Sequence, residues 1–280
     1  MIPGACLCGD LQYEVDGPFT ELIHCHCSRC RKHHGAPFAS FVVAPKRAFV
    51  WRQGEDRVAE HRSSPENVRR YCPRCSSKAP TLGKTAVAIP AGNLVGALGP
   101  VPASHAFVGS KAPWHAIADD LPQHEGPPPH WTPSNEPGST PVILEGATHG
   151  ACLCGAVSFS VVGKPARWMQ CHCSRCRRGR SAAHGSNTFY PREQFAWRTG
   201  QESVRSFRLP EAQRFAIHFC GRCGGGAPVE REGVPFVLVP AGLLDSDPGF
   251  RPEAHIHVAS GAPWYTITDA IPQFPELPPL

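Results

Sequence analysis

The 280-residue chain lacks a long apolar run. No segment approaches the roughly 18 consecutive apolar residues of a membrane helix, so no membrane span is expected. The opening residues, MIPGACLCGD, have neither the basic n-region nor the apolar h-region of a secretory signal. A cytoplasmic, reducing setting is therefore expected. Charge is also scarce, at 18% of residues and a net +5, with no long basic stripe or tail. That argues against a nucleic-acid partner. The 41% of hydrophobic residues excludes wholesale disorder. What the chain does have is proline (31), glycine (27) and cysteine (14). The first two favour loops, turns and short strands over long helices. In a reducing compartment, clustered cysteines bind metal more readily than they pair.

The heptapeptide CHCSRCR occurs twice, at Cys25–Arg31 and Cys171–Arg177. The repetition extends much further. GACLCG recurs at 4–9 and 150–155, with equal spacing to the heptapeptide in both copies. FVWRQGEDRV answers to FAWRTGQESV, YCPRC to FCGRC, PAGNL to PAGLL, and SKAPWHAIADDLPQ to SGAPWYTITDAIPQ. Preserved motif order means tandem duplication of a unit of about 125–135 residues, an ordinary domain size. The expected organisation is a first domain over 1–124, a proline-rich linker over 125–147, extended or packed on a domain, and a second domain over 148–280. LQYEV and VSFSV alternate apolar and polar residues, as half-buried strands do. FASFVV, PFVLVP and AHIHVA read as further strands, and SRCRK as a helical turn. Each unit is thus mainly β and loop-rich, and the two are expected to pack as a pseudo-dimer within one monomeric chain.

Each half holds seven cysteines, an odd number that cannot all pair. Zinc takes thiolates at about 2.3 Å in a tetrahedron. In an extended C-x-C both sulfurs point the same way, and a C-x-x-C turn brings two to one ion. Cys6 and Cys8 with Cys72 and Cys75 make a complete set of four, as do Cys152 and Cys154 with Cys220 and Cys223. Cys25, Cys27 and Cys30 remain as a set of three, with Cys171, Cys173 and Cys176 as its copy. Two zinc ions per half, four per chain, are expected. A set of four closes a site, whereas a set of three leaves a position for an exchanging ligand. The alternative is a fourth protein ligand on the trio: His26 lies inside the motif and His24 beside it, and His105 and His255 are equivalent in the repeat.

Three thiolates make zinc a weak Lewis acid, poorly suited to generating hydroxide. Such an ion still deprotonates a bound thiol. A small thiol presented as thiolate to an aldehyde is the chemistry this predicts. Arg29, Arg31, Lys32, Arg175, Arg177 and Arg178 either hold carboxylates of an acidic thiol such as glutathione or form a solvated face. Phe38, Phe41, Trp114 and Trp264 either line pockets or fill cores.

The ordered set C-x-C, C-H-C-x-x-C, C-x-x-C and A-P-W in each half resembles the glutathione-dependent formaldehyde-activating enzyme family, which includes centromere protein V. The resemblance covers the chain apart from the linker. It implies two β-tent zinc domains, a structural zinc on the outer four cysteines, and an active-site zinc on the central three, Cys25, Cys27 and Cys30 in one half and Cys171, Cys173 and Cys176 in the other. The implied reaction is addition of glutathione to formaldehyde, a carbon–sulfur lyase activity. A non-catalytic zinc scaffold or thiol or metal sensor is the alternative. Departures from the family pattern stand at Ser76, where Gly224 keeps the glycine, and at Arg180 and Ser181, opposite His34 and Gly35 in the repeat.

Overall fold

The computed structural model describes residues 1–131, 138–212 and 215–278. Strands dominate, with two α-helices among the described residues. In the first half, β1 (Ile2–Ala5), β2 (Gln12–Val15), β3 (Glu21–Cys25), α1 (Ser28–His34), β4 (Ala39–Pro45) and β5 (Phe49–Gln53) come first. They are followed by β6 (Ala59–Arg62), β7 (Val68–Tyr71), β8 (Thr81–Leu82), β9 (Ala86–Pro90), β10 (Ala103–Ala106) and β11 (Gln123–His124). The second half runs β12 (Ile143–Leu144), β13 (Ala147–Ala151), β14 (Ser158–Val161), β15 (Arg167–Cys171), α2 (Ser174–Arg180) and β16 (Gly185–Pro191). It continues with β17 (Phe195–Thr199), β18 (Val204–Arg208), β19 (Ala216–Cys220), β20 (Phe236–Pro240) and β21 (Ala254–Ile256).

The alternation read from LQYEV is real: Tyr13 and Val15 are buried while Gln12 is exposed. Strands β1, β2 and β5 form one small sheet, and β13, β14 and β17, with β12 added at the edge, form its counterpart. The larger sheet of the first half has the order β11-β10-β3-β4-β9-β8, and that of the second β20-β16-β15-β21. In both, the strand ending in the first trio cysteine sits centrally. It pairs antiparallel with the strand after the helix and parallel with a strand from the end of the repeat. Hairpins β6–β7 and β18–β19 deliver the C-x-x-C knuckles.

The halves pack as an intramolecular pseudo-dimer through reciprocal contacts. Helix α1 lies on the turn Ala241–Leu243 of the other half, and α2 on the turn Ala91–Asn93. A side chain on Gly92 would stand 2.3 Å from the Ala182 nitrogen, and one on Gly242 2.4 Å from the Ala36 oxygen. Both PAG motifs therefore mark places where backbones of opposite halves touch. The A-P-W arms cross over as well. Trp114 is buried in the core of the second half beside Trp168, ring centroids 5.1 Å apart. Trp264 packs on the first half's core, with Tyr13, Val42 and Ile89. Two of the four aromatics weighed for pockets thus fill cores, each in the half that does not encode it. Phe38 is buried too, beside His115, His184 and Tyr265.

The linker touches both halves: its earlier part contacts the first half, and β12 pairs with β13 of the second. Trp131 Nε1 donates to Glu21 Oε1 at 3.2 Å, and the Ser139 N–H to Ser28 Oγ at 2.8 Å. Linker residues 132–137 lie outside the described residues.

Candidate metal centres and the cavity beside the first trio

All fourteen cysteines are free thiols, gathered into four groups whose members are those read from the spacing. Within each group every sulfur lies within 4.8 Å of the others. Cys6 and Cys8 are 3.4 Å apart, Cys8 and Cys72 3.6 Å, Cys152 and Cys154 3.7 Å, and Cys154 and Cys220 3.9 Å. A tetrahedron with metal–sulfur bonds of about 2.3 Å has edges of about 3.8 Å. The separations fit one ion per group and exclude disulfides, whose sulfurs sit about 2 Å apart.

Each trio is built by a strand end and a helix start. Cys25 closes β3, and Cys27 caps α1, its sulfur accepting from the Cys30 N–H at 3.3 Å. Cys171, Cys173 and Cys176 repeat this at β15 and α2. The Cys25–Cys27 and Cys171–Cys173 separations are both 3.6 Å. Cys30 is pulled well below the ordinary thiol value by sulfur donors Cys25 and Cys27, with a smaller contribution from Arg69, whose Nη1 is 3.5 Å from its sulfur. In the second half the lowered thiol is instead Cys173, the counterpart of Cys27, pulled down by Cys171 and Cys176.

Among the described residues no fourth histidine, cysteine or carboxylate joins either trio. The histidines considered as fourth ligands are otherwise engaged. His26, pointing to the opposite face of the strand from its flanking cysteines, bonds through Nε2 to His105 Nδ1 at 2.8 Å, and His105 Nε2 meets Asp119 Oδ1 at 2.9 Å. The second half has the same chain: His172 to His255 at 2.8 Å, and His255 to Asp269 at 3.0 Å. The carboxylate can only accept, so His105 and His255 carry their proton on Nε2, and their Nδ1 accepts from the preceding histidine. Each aspartate thereby fixes two tautomers and anchors the segment between two metal-ligating candidates. His24, bonded to Ser40 Oγ at 2.9 Å, is held neutral by burial, to about 3, with His105 adding to the shift. Asp119 and Asp269 were missed by the sequence reading, although they stand at equivalent places in the last repeated motif.

Apart from Arg29, which lines the cavity beside the first trio, the basic residues find other work than the one considered for them. Arg177 Nη1 donates to the Leu94 carbonyl across the seam at 3.0 Å, and Arg178 Nη2 to Cys6 O at 2.6 Å. Lys32 pairs with Asp245 at 2.6 Å. Arg175 lies over the Phe215 ring, and Arg31 is buried at the α1 end of the seam. Lys78, fully enclosed, donates to Ser76 O, Ser76 Oγ and Gly224 O at 2.6, 2.9 and 2.6 Å. Burial draws its pKa down to about 7, opposed by the nearby Cys223. Arg31, Lys32, Lys78, Arg177 and Arg180 are all buried, while among the described residues only Lys32 of these has a carboxylate partner. Buried cations need countercharge. A divalent ion leaves two net negative charges on four thiolates and one on three. Metal-loaded cysteine groups supply that countercharge, and neutral thiols do not. The residues present therefore fit a bound divalent metal at all four groups.

A cavity of about 400 Å³ opens beside the first trio. Cys25, Cys27 and Cys30 form part of its wall, with Arg29, Arg69, Phe41, Phe107 and, from the linker, Trp131. The β6–β7 hairpin supplies one side. In the second half the equivalent hairpin is apolar: Phe207, Leu209, Ile217 and Phe219 cluster with Cys6, Leu7, Cys72 and Cys75 of the first half. The residues after each trio lie mainly at the seam between the halves. His34 Nδ1 bonds to Arg180 O at 2.9 Å, and Ser181 Oγ accepts from the Lys78 N–H at 2.7 Å. Ser181 has the left-handed conformation of Gly35 (φ 52° against 64°), and Ser76 that of Gly224 (61° against 65°).

Fold and site define a tandem, mainly β protein with two cysteine quartets and two cysteine trios. The family model for the glutathione-dependent formaldehyde-activating enzyme matches residues 1–110 and again 147–260, and the chain belongs to that family. A crystal structure of a Rhodobacter sphaeroides protein from Northeast Structural Genomics is similar at 20% identity. That match covers 36% of this chain and 99% of the other, with a TM-score of 0.30. A search of curated proteins finds no match. Among the described residues, no helix is long and apolar enough to cross a membrane.

Proposed function

We propose that the chain is a zinc-dependent enzyme of the carbon–sulfur lyase type, joining a small thiol such as glutathione to an aldehyde such as formaldehyde at its first trio. One observation carries the reading: three sulfurs, without a fourth protein ligand among the described residues, face a cavity of substrate size. We assign zinc to all four groups, two ions per half, with the quartets closed and Cys25, Cys27, Cys30, Cys171, Cys173 and Cys176 as ligands of the open sites. We take 1–124 and 148–280 as the functional units, in a cytoplasmic monomer whose pseudo-dimer is internal. Fourteen free thiols suit a reducing compartment.

When bound, the metal ion lowers the pKa of an incoming thiol and holds its sulfur as thiolate. The thiol proton leaves, the sulfur lone pair forms the carbon–sulfur bond, and the aldehyde oxygen takes up a proton to become hydroxyl. The chain's own residues prepare this step. Arg69, beside Cys30, stabilises negative charge on sulfur. Phe41, Phe107 and Trp131 narrow the cavity and exclude water. Asp119, through His105 and His26, holds the Cys25–Cys27 segment in place.

The test is exchange between glutathione, formaldehyde and their adduct, followed by two-dimensional NMR with the zinc-loaded chain. Exchange faster than the uncatalysed rate, lost in Cys27→Ser, is expected. No acceleration by the loaded wild-type chain sinks the enzyme reading and leaves the non-catalytic scaffold or sensor.

A further inference from the structure

The cavity beside the first trio has a buried end, where His33, His34 and Lys78 line it and are themselves buried. Two of the three are engaged elsewhere: His34 Nδ1 bonds to Arg180 O, and Lys78 Nζ donates to Ser76 O and Gly224 O. His33 is different. Among the described residues its Nδ1 has no hydrogen-bond partner, and its ring meets His34 and Tyr71 edge-on, centroids 5.7 and 6.4 Å away. A buried polar ring of this kind in a cavity wall calls for something in the cavity. An enclosed N–H without an acceptor is rarer than an enclosed lone pair. The His33 proton therefore sits on Nε2, and the enclosed Nδ1 carries the lone pair. Burial first, then Lys78, His34, Arg69 and His61, keep the ring from taking a second proton. His33 is thus a neutral N–H donor, three residues after Cys30 and on the same side of α1.

We propose that His33 is a catalytic residue of the first site, donating a hydrogen bond to the aldehyde oxygen, given the reading above that this trio takes a thiol. As the sulfur bonds to carbon, the carbonyl π pair moves to oxygen, and the His33 N–H faces the charge that develops there. The proton that ends on oxygen is the one the thiol released, so His33 gives up none. The second half has no such donor. Gly179 stands at the place of His33, and a side chain there would begin 2.8 Å from Ile217 Cδ1 of the apolar hairpin. The second trio is thus able to hold a sulfur but has no counterpart of His33 to receive the oxygen.

The experiment uses the full zinc-loaded chain, in which His33→Leu removes the donor and His33→Gln keeps an N–H. In the exchange of glutathione, formaldehyde and their adduct, His33→Leu is expected to lower kcat about a hundredfold, the range for one donor to a developing oxyanion. Glutathione affinity, measured by calorimetry, should not change, and His33→Gln should recover most of the rate. An unchanged kcat in His33→Leu, or equal loss in both variants, overturns the proposal. If the wild-type chain does not accelerate exchange, it is the enzyme reading that fails. The donor is then decided by nitrogen-15 NMR of the histidine-labelled chain titrated with formamide, an unreactive carbonyl of aldehyde size; the same titration decides it if His33→Leu does not fold. A saturable shift of a protonated Nε2 signal that is missing from His33→Gln supports the site. A His33 ring protonated on Nδ1, or one that formamide leaves unmoved, overturns it.

Discussion

Cys25, Cys27 and Cys30 sit against Phe41, Phe107 and Trp131. Cys171, Cys173 and Cys176 sit against Met169, Ile256 and Phe274, with Asn187 beside Cys176. The sulfur geometry is the same in both trios, down to the capping bond and the left-handed residue that ends each helix. The comparison separates two kinds of constraint. Metal coordination tolerates no change in the cysteine positions, so the copies agree there. The walls answer only to what enters, and there they have diverged. At the seam, duplication has a further effect. Equivalent residues meet near one pseudo-axis, where two like cations would repel. Lys78 of the first half has Gly226 as its counterpart, and Arg180 of the second has His34. Each large cation stands opposite a residue that leaves room for it. Arg180 Nη1 passes within 3.2 Å of where a side chain on Gly226 would begin.

The largest expected effect separates quartets from trios in both halves. Cys72→Ser or Cys220→Ser should abolish folding, because a closed zinc site contributes on the order of 10 kcal/mol of binding free energy to the folded state. Cys27→Ser or Cys173→Ser should fold and lose one ion from a total of about four. Circular dichroism together with metal analysis checks this. Trio variants that unfold as readily as quartet variants would undo the division.

Next in size is an effect that crosses between halves. Trp114 is encoded in the first half and buried in the core of the second. Trp114→Ala should cost about 3–5 kcal/mol. Its signature in hydrogen exchange is loss of protection in β14, β15 and β16. Loss confined to β2 and β4 would mean that the arms do not cross.

That crossing shows where sequence reading stops. The fourteen ligand candidates, their grouping, the helical turn after each trio and the mainly β class were legible, because short spacings and alternation are local. PAGNL and PAGLL were legible as repeats but not as seam. The reason for Gly92 and Gly242 is the backbone of Ala182 and Ala36, far away in sequence. The basic residues beside each trio looked like an anion site because they neighbour the cysteines along the chain. On a helix whose first turn carries the third trio cysteine, later residues face elsewhere, and here they face the other half. The replacement of glycine by Ser76 and Ser181 keeps the left-handed backbone, and both serines use their hydroxyls across the seam, Ser76 Oγ donating to Gly224 O at 2.6 Å.

A smaller effect tests whether the two His–His–Asp chains act separately. Asp119→Asn should weaken cobalt binding at the first trio by about tenfold, in the range of changes to groups that orient metal ligands. Asp269→Asn should do the same at the second only. The position and intensity of the thiolate–cobalt bands, measured in chains where the other trio carries a Cys→Ser change, distinguish local repositioning from general destabilisation. Equal loss at both trios in either variant would make the aspartates merely structural.

The smallest effect is on pH dependence and again uses one half as the template for the other. Burial, with smaller contributions from neighbouring histidines and basic side chains, holds His24, His34, His115 and His172 near 3 and His26 near 2. His184 is pushed well below the ordinary histidine value, first by burial and then by His172 and His255. In the unfolded chain these groups titrate near 6.5. Below that pH the unfolded state takes up protons that the native state refuses, so their contribution is intact above about 6.5 and is lost progressively toward about 3. Each histidine adds a slope of about 1.4 kcal/mol per pH unit in this window. The first half has Phe38 where the second has His184, so His184→Phe installs a side chain the repeat already accommodates. Urea unfolding between pH 6 and pH 5, with metal content shown to be equal, should give the variant a shallower slope by about one histidine's share. Equal slopes would mean that His184 carries its proton in the folded chain, and that the second half's histidine cluster is charged where the first half's is neutral.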